Sequence, residues 1–213
     1  ISLTEGSGGG DETLTAAFTG NLNASVLNAG TVATARLGSG TASSSTILYG
    51  DQTYKAEPTS GLSAASQWRL TADLTGDSTE QVFTANLEVA DTDGYGSLGS
   101  AMTESSGVFT FPSTGYWLIS LHGYADLLGD SQAEFRILTT VNDATYDTAS
   151  EVGMGDDGSN NSNNGTCSFL FDVTSTANCK VKFACHSINS DGHVFGDSSQ
   201  NETHFTFTRL GDT

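Results

Sequence analysis

With 213 residues the chain can hold one large β domain plus an appendage, or two modest domains. Twenty-five Asp and Glu against seven Lys and Arg leave a formal charge of -18, which repels phosphate backbones and anionic membranes and argues against nucleic acid as a partner. Gly, Ser, Thr, Asn and Asp abound while only 15% of residues are charged; this is the profile of short strands and turns, not of helices, and no apolar run approaches a membrane span, so membrane insertion is not expected.

Large side chains are unevenly spread along the chain. Of eleven Phe only Phe18 precedes residue 67, and both Trp, Trp68 and Trp117, follow it. Residues 1–66 therefore lack the material for a core of their own. They carry Ala, Thr, Ser, Gly and Asn, with Leu22, Val26, Leu27, Val32 and Leu37 recurring among them. A segment of that composition is either a flexible tether or a chain ordered by winding against copies of itself. The repeated aliphatic positions favour the second, an extended fibrous β segment over 1–66 intertwined between chains.

Within that segment, Ala35-Arg-Leu-Gly-Ser-Gly-Thr-Ala42 is followed by Leu48-Tyr-Gly-Asp-Gln-Thr-Tyr54. This pair of stretches resembles one that recurs in bacteriophage tail fibres and related virion fibres just ahead of a C-terminal head, with Tyr54 in the place usually held by Trp. The resemblance runs from Gly30 to Tyr54, about 25 residues. It implies a virion protein assembled in the bacterial cytoplasm, a tail fibre or capsid fibre, attached to other virion proteins through residues 1–66.

Beyond residue 66 come strand-like runs at 67–74, 81–89, 107–111, 116–124, 133–141, 167–173, 179–185 and 204–210, separated by turn clusters such as Thr75-Gly-Asp-Ser78 and Ser190-Asp-Gly192. Eight short strands with no helical rhythm between them predict an antiparallel β-sandwich or jelly roll over 67–213. In Cys167-Ser-Phe-Leu-Phe-Asp-Val173 and Cys179-Lys-Val-Lys-Phe-Ala-Cys185, period-two alternation sends Cys167, Phe169, Phe171 and Val173, and Cys179, Val181, Phe183 and Cys185, to the inward side. Buried, reduced thiols are the favoured state. If the two runs paired as a simple hairpin, Cys167 would face Cys185 and a disulfide could form.

Gly107-Val-Phe-Thr-Phe-Pro-Ser-Thr-Gly-Tyr-Trp-Leu-Ile-Ser-Leu121 and the closing His204-Phe-Thr-Phe-Thr-Arg-Leu210 resemble strands of the complement-type globular head, a relative of the tumour necrosis factor jelly roll. Phe109, Gly115, Trp117, Ile119 and Leu121 fill the family's positions. Upstream the agreement lapses, with Ser97 and Met102 where the family places Asn or Asp and a larger apolar group. The resemblance implies a homotrimer, core roles for these residues, and a topology in which the Cys167 and Cys179 strands lie in opposite sheets, too far apart for a Cys167–Cys185 bond.

The chemistry-bearing patterns are weak. Gly94-Tyr-Gly-Ser-Leu-Gly99 and Gly153-Met-Gly-Asp-Asp-Gly158 match a dinucleotide-loop pattern, but neither joins a buried strand to a helix. The carboxylate pairs Asp126 and Asp130, Asp143 and Asp147, and Asp156 and Asp157 read as solvated loops. His122, His186, His193 and His204 show no spacing that marks a shared ligand set. Calcium is the better prospect, with Asp91, Asp93, Asp156 and Asp157 as hard oxygen donors in glycine-bearing loops; no other cofactor is expected. Gly153 to Gly165 reads as a projecting loop, and Asp156, Asp157, Asn160, Asn161, Asn163 and Asn164 are its candidate ligand-binding residues. The expectation is a non-catalytic homotrimeric fibre whose head binds a host surface glycan or protein; a capsid-decorating head and a glycan-cleaving tail enzyme are the alternatives.

Overall fold

The computed structural model describes residues 37–56, 61–128, 132–155 and 162–213. The chain divides into two units at Pro58/Thr59. In the first, β1 (Thr46–Leu48) and β2 (Tyr54–Ala56) form an antiparallel hairpin with Leu48 opposite Tyr54. Its turn is tied by the Asp51 carboxylate, which accepts from the Thr53 amide at 3.1 Å and from Lys55 Nζ at 2.6 Å. Residues 38–40 lie across the hairpin, Ser39 exchanging backbone bonds with Gln52 and Tyr54. A Cβ on Gly38 would stand 2.3 Å from the Gln52 carbonyl oxygen, so the glycine of the fibre-like stretch is required by close backbone approach. The aliphatic positions Leu22, Val26, Leu27 and Val32 fall outside the described residues, so the expected winding of 1–66 rests on sequence alone.

The second unit is all β among the described residues. In chain order it contains β3 (Ala64–Leu70), β4 (Leu74–Thr75), β5 (Gln81–Val82), β6 (Leu87–Val89), β7 (Thr103–Ser105), β8 (Val108–Thr110), β9 (Gly115–Asp126), β10 (Gln132–Thr140), β11 (Asp147–Gly155), β12 (Ser162–Val173), β13 (Lys180–His186), β14 (His193–Val194) and β15 (His204–Gly211). Strand β3 crosses the expected 66/67 boundary.

Two antiparallel sheets stack. One has six strands, ordered β11-β10-β13-β8-β7 with β5 on β13. The other has seven, ordered β4-β14-β9-β15-β3-β6 with β12 on the free edge of β9. The paired apolar runs therefore part company: Cys167 lies opposite Leu121 in the seven-stranded sheet, whereas Cys185 lies opposite Phe135 in the six-stranded one. The hairpin pairing that would have set Cys167 against Cys185 is thereby corrected, and all three cysteines are free and buried. Burial pushes the Cys185 thiol up to about 12 and raises that of Cys167, so neither is a nucleophile at neutral pH.

Alternation does the rest of the folding work. Along β9 every odd position from Gly115 to Ala125 is turned inward, and Trp117, Ile119, Leu121 and Ala125 are sealed in the core. Aromatic rings bolt the sheets together: Phe183 of β13 stacks on Phe205 of β15 at 4.1 Å, and Phe109 of β8 meets Phe207 at 5.3 Å. At the bend after Pro112, Phe111 packs on Trp117 at 5.3 Å and on Phe171 at 5.6 Å. Gly115 sits there at φ 131°, where a Cβ would stand 2.3 Å from the Gly211 carbonyl oxygen; no other residue fits both demands.

Two expectations change. The stretch 153–165 is not one projecting loop, because Gly153 to Gly155 end β11 and 162–165 begin β12. The run 81–89 is broken into β5 and β6, with Asn86 at φ 57° between them.

Candidate functional site

The face of the seven-stranded sheet turned away from the core can be read row by row from the strand register. One row runs Leu170, Leu118, Thr208, Ala65 and Leu98. The next runs Ser168, Ser120, Thr206 and Gln67; the third runs Thr166, His122, His204 and Arg69. Tyr116 stands beyond the first row, opposite Asp172. Leu170, Leu98, Tyr116 and Leu118 are exposed large apolar groups in the protomer, at 55%, 45%, 40% and 37%. The first two rows hold no carboxylate, in a chain of formal charge -18, and the third ends on Glu88 of β6, opposite Arg69.

Arg69 is the one basic member of the rows, and it is neutralised where it stands, first by Glu88 beside it. Its guanidinium is fully buried. Nε donates to Glu88 at 2.9 Å, one terminal nitrogen donates to Thr92 Oγ1 at 2.8 Å, and the other reaches the Asp91 carboxylate and the Ser198 carbonyl. Two loops are thus tied down on a single side chain. Asp91, a calcium candidate from sequence, is engaged in this cage, while Asp93 is exposed nearby.

Toward the other end of the face lies a depression of roughly 400 Å³, lined by His122, Tyr124, Asn164, Asn201 and Glu202. Tyr124 is backed by Phe195, ring centroids 4.5 Å apart. The imidazoles of His122 and His204 lie 5.0 Å apart, tilted by 32°. Burial pushes the His204 imidazole below its ordinary range, the nearby His122 adding to the shift. Burial, followed by Asp197 and Asp73, holds the Glu202 carboxyl above its ordinary range.

Of the sequence-predicted ligand residues, Asn164 lines this depression. Asn163 does not face it: its Nδ2 donates to the Gly155 carbonyl at 2.6 Å, joining β12 to β11. Asp156, Asp157, Asn160 and Asn161 lie outside the described residues. No set of three or more His, Cys, Asp or Glu side chains among the described residues is grouped for a metal. The pairing of His122 with His204 is legible only from the strand register, since 82 positions separate them in the chain. Alternation on two adjacent outward strands was the available signal, and it fixes face but not partner.

No protein-family model matches the chain, and no curated protein matches it in sequence. Among solved structures, murine APRIL at pH 8.5 is similar at TM-score 0.51 and 10% identity over 69% of this chain and 98% of that one. Murine APRIL at pH 5.0 gives 0.52 and 8% over 69% and 98%, and the Eiger TNF of S. frugiperda gives 0.51 and 11% over 70% and 93%. At such identity the likeness speaks to fold alone: the head has the jelly-roll architecture of tumour necrosis factor-like proteins.

Proposed function

We propose that this chain is a non-catalytic, homotrimeric binding protein whose heads assemble through the outer face of the seven-stranded sheet. The observation that carries the reading is the uncharged, apolar strip of Tyr116, Leu118, Leu170 and Leu98 on a protein of charge -18. A sister copy is the fitting occupant, because the first two rows, with Asp172 and Glu88 only at their margins, are where another equally acidic molecule can approach without burying carboxylates. The TNF-like fold of the head supports the same stoichiometry. Light scattering on the eluted protein should give three times the 22.1 kDa protomer mass; a mass of one protomer at micromolar concentration refutes it.

In its finer form the protein is a virion fibre, held to the particle by residues 1–66 and presenting the head to a host surface glycan or protein. The fibre-like stretch of residues 35–54 supports this, and its Gly38, Asp51 and Thr53 serve the hairpin's own geometry. Gold-labelled antibody on intact virions should decorate the tail tip; decoration of the shell favours the capsid-fibre form, and no decoration removes the virion reading. Release of reducing ends from host polysaccharide would instead favour the glycan-cleaving alternative.

A further inference from the structure

We propose that His122 and His204 form a cross-strand chelating site for a divalent transition-metal ion of the zinc class, bound through their Nε2 atoms and completed by water at the Glu202 rim. The two residues face each other on adjacent strands, β9 and β15. Each ring has its Nδ1 occupied: that of His122 meets Thr166 Oγ1 at 2.9 Å, and that of His204 faces the Glu202 carbonyl oxygen at 3.3 Å. A carbonyl only accepts, so His204 carries its proton on Nδ1 and leaves the Nε2 lone pair open. Thr166 belongs to β12, on the side of β9 opposite to β15. A His122 ring with Nδ1 turned toward β12 therefore turns its Nε2 edge toward His204.

The spacing suits one ion. With metal–nitrogen bonds of roughly 2.0 to 2.1 Å, two imidazoles on a tetrahedral zinc place their ring centroids about 5 Å apart, and here they are 5.0 Å apart. Glu202 lines the same depression as His122 and brings a carboxylate to its rim. Imidazole donors select zinc, nickel or copper over calcium. The site uses residues of one protomer; it lies on the face proposed to assemble, in the row farthest from the apolar strip, which is why binding and mass are followed together.

The test titrates the full chain with Zn²⁺ by calorimetry while sedimentation reports its mass, so that loss of assembly and loss of zinc binding are seen separately. One Zn²⁺ per protomer is expected, unaffected by excess Ca²⁺. His122→Gln or His204→Gln should abolish it, and Thr166→Val, which frees the His122 ring, should weaken it about tenfold. Should the variants misfold, histidine ring-nitrogen NMR on the unaltered chain decides: the His122 and His204 signals move with zinc and those of His186 and His193 do not. Zinc binding that survives in both glutamine variants, no binding at all, or shifts confined to His186 and His193 would overturn the assignment.

Discussion

The outward faces of the two sheets differ in kind. On the six-stranded sheet Arg136 gathers three carboxylates, Glu80 at 2.8 Å, Glu151 at 3.3 Å and Glu134, while Lys182 sits 3.9 Å above the Tyr146 ring. On the seven-stranded sheet the two central rows are Leu, Ser, Thr, Ala and Gln, with Asp172 and Glu88 only at the margins, and the Arg69 guanidinium is walled in by its own loops. One face is built to stand in water; the central rows of the other lack the charges that would keep copies of an acidic protein apart. Both are carried by the same core, so the contrast is a property of outward residues alone.

The largest effect is expected where the faces share their support. Phe205→Ala removes a ring stacked on Phe183 and packed near Phe83 and Phe109, and should cost about 3 to 5 kcal/mol in denaturant unfolding. Arg69→Met comes next. It unties the loops carrying Thr92 and Ser198 and strands Glu88 and Asp91, partners that water can still reach, for a loss of about 2 to 3 kcal/mol. Leu118→Arg should weaken assembly by about 2 kcal/mol or more while leaving the melting of the isolated protomer almost unchanged. Arg136→Met on the opposite face sharpens the contrast: it removes a partly buried guanidinium and leaves Glu134 unpaired, for a loss of about 1 to 2 kcal/mol, while assembly should persist.

The smallest effect is a pH dependence. The folded His204 titrates below its ordinary value of 6.5, through burial first and the neighbouring His122 second. Below pH 6.5 the unfolded chain takes up a proton that the folded one refuses, so stability falls from there down to the depressed folded value and is flat beneath it. His204→Gln should remove that component from a melting series run between pH 7 and 5. Glu202, raised by burial, contributes in the other sense, its share being complete at low pH and lost as pH rises through the folded value.

Strands whose inward residues are large were legible in the sequence. The alternation of Trp117, Ile119 and Leu121, and of Phe205 and Phe207, could satisfy a buried face in only one way. Strand β11 was not legible: Asp147-Thr-Ala-Ser-Glu-Val-Gly-Met-Gly155 buries only Met154 fully, because it lies at the sheet edge and takes its order from pairing with β10. Sheet membership of the Cys167 and Cys179 runs was likewise hidden from periodicity, which fixes a face and leaves the neighbouring strand open; there the resemblance to the complement-type head pointed to the topology observed. The candidate site was the least legible. Its two histidines, Tyr124 and Glu202 come from separate stretches, and only the β9–β15 register and the loop before β15 bring them together.

Hydroxyl-radical footprinting of the native assembly bears most directly on the claim that sister copies cover the uncharged strip. Tyr116, Leu118 and Leu170 are open in the protomer at 40%, 37% and 55%. They should resist labelling in the native protein and gain it on dilution to protomers, whereas Val141, at 66%, should label equally in both. Equal labelling of all four before and after dilution would contradict the account.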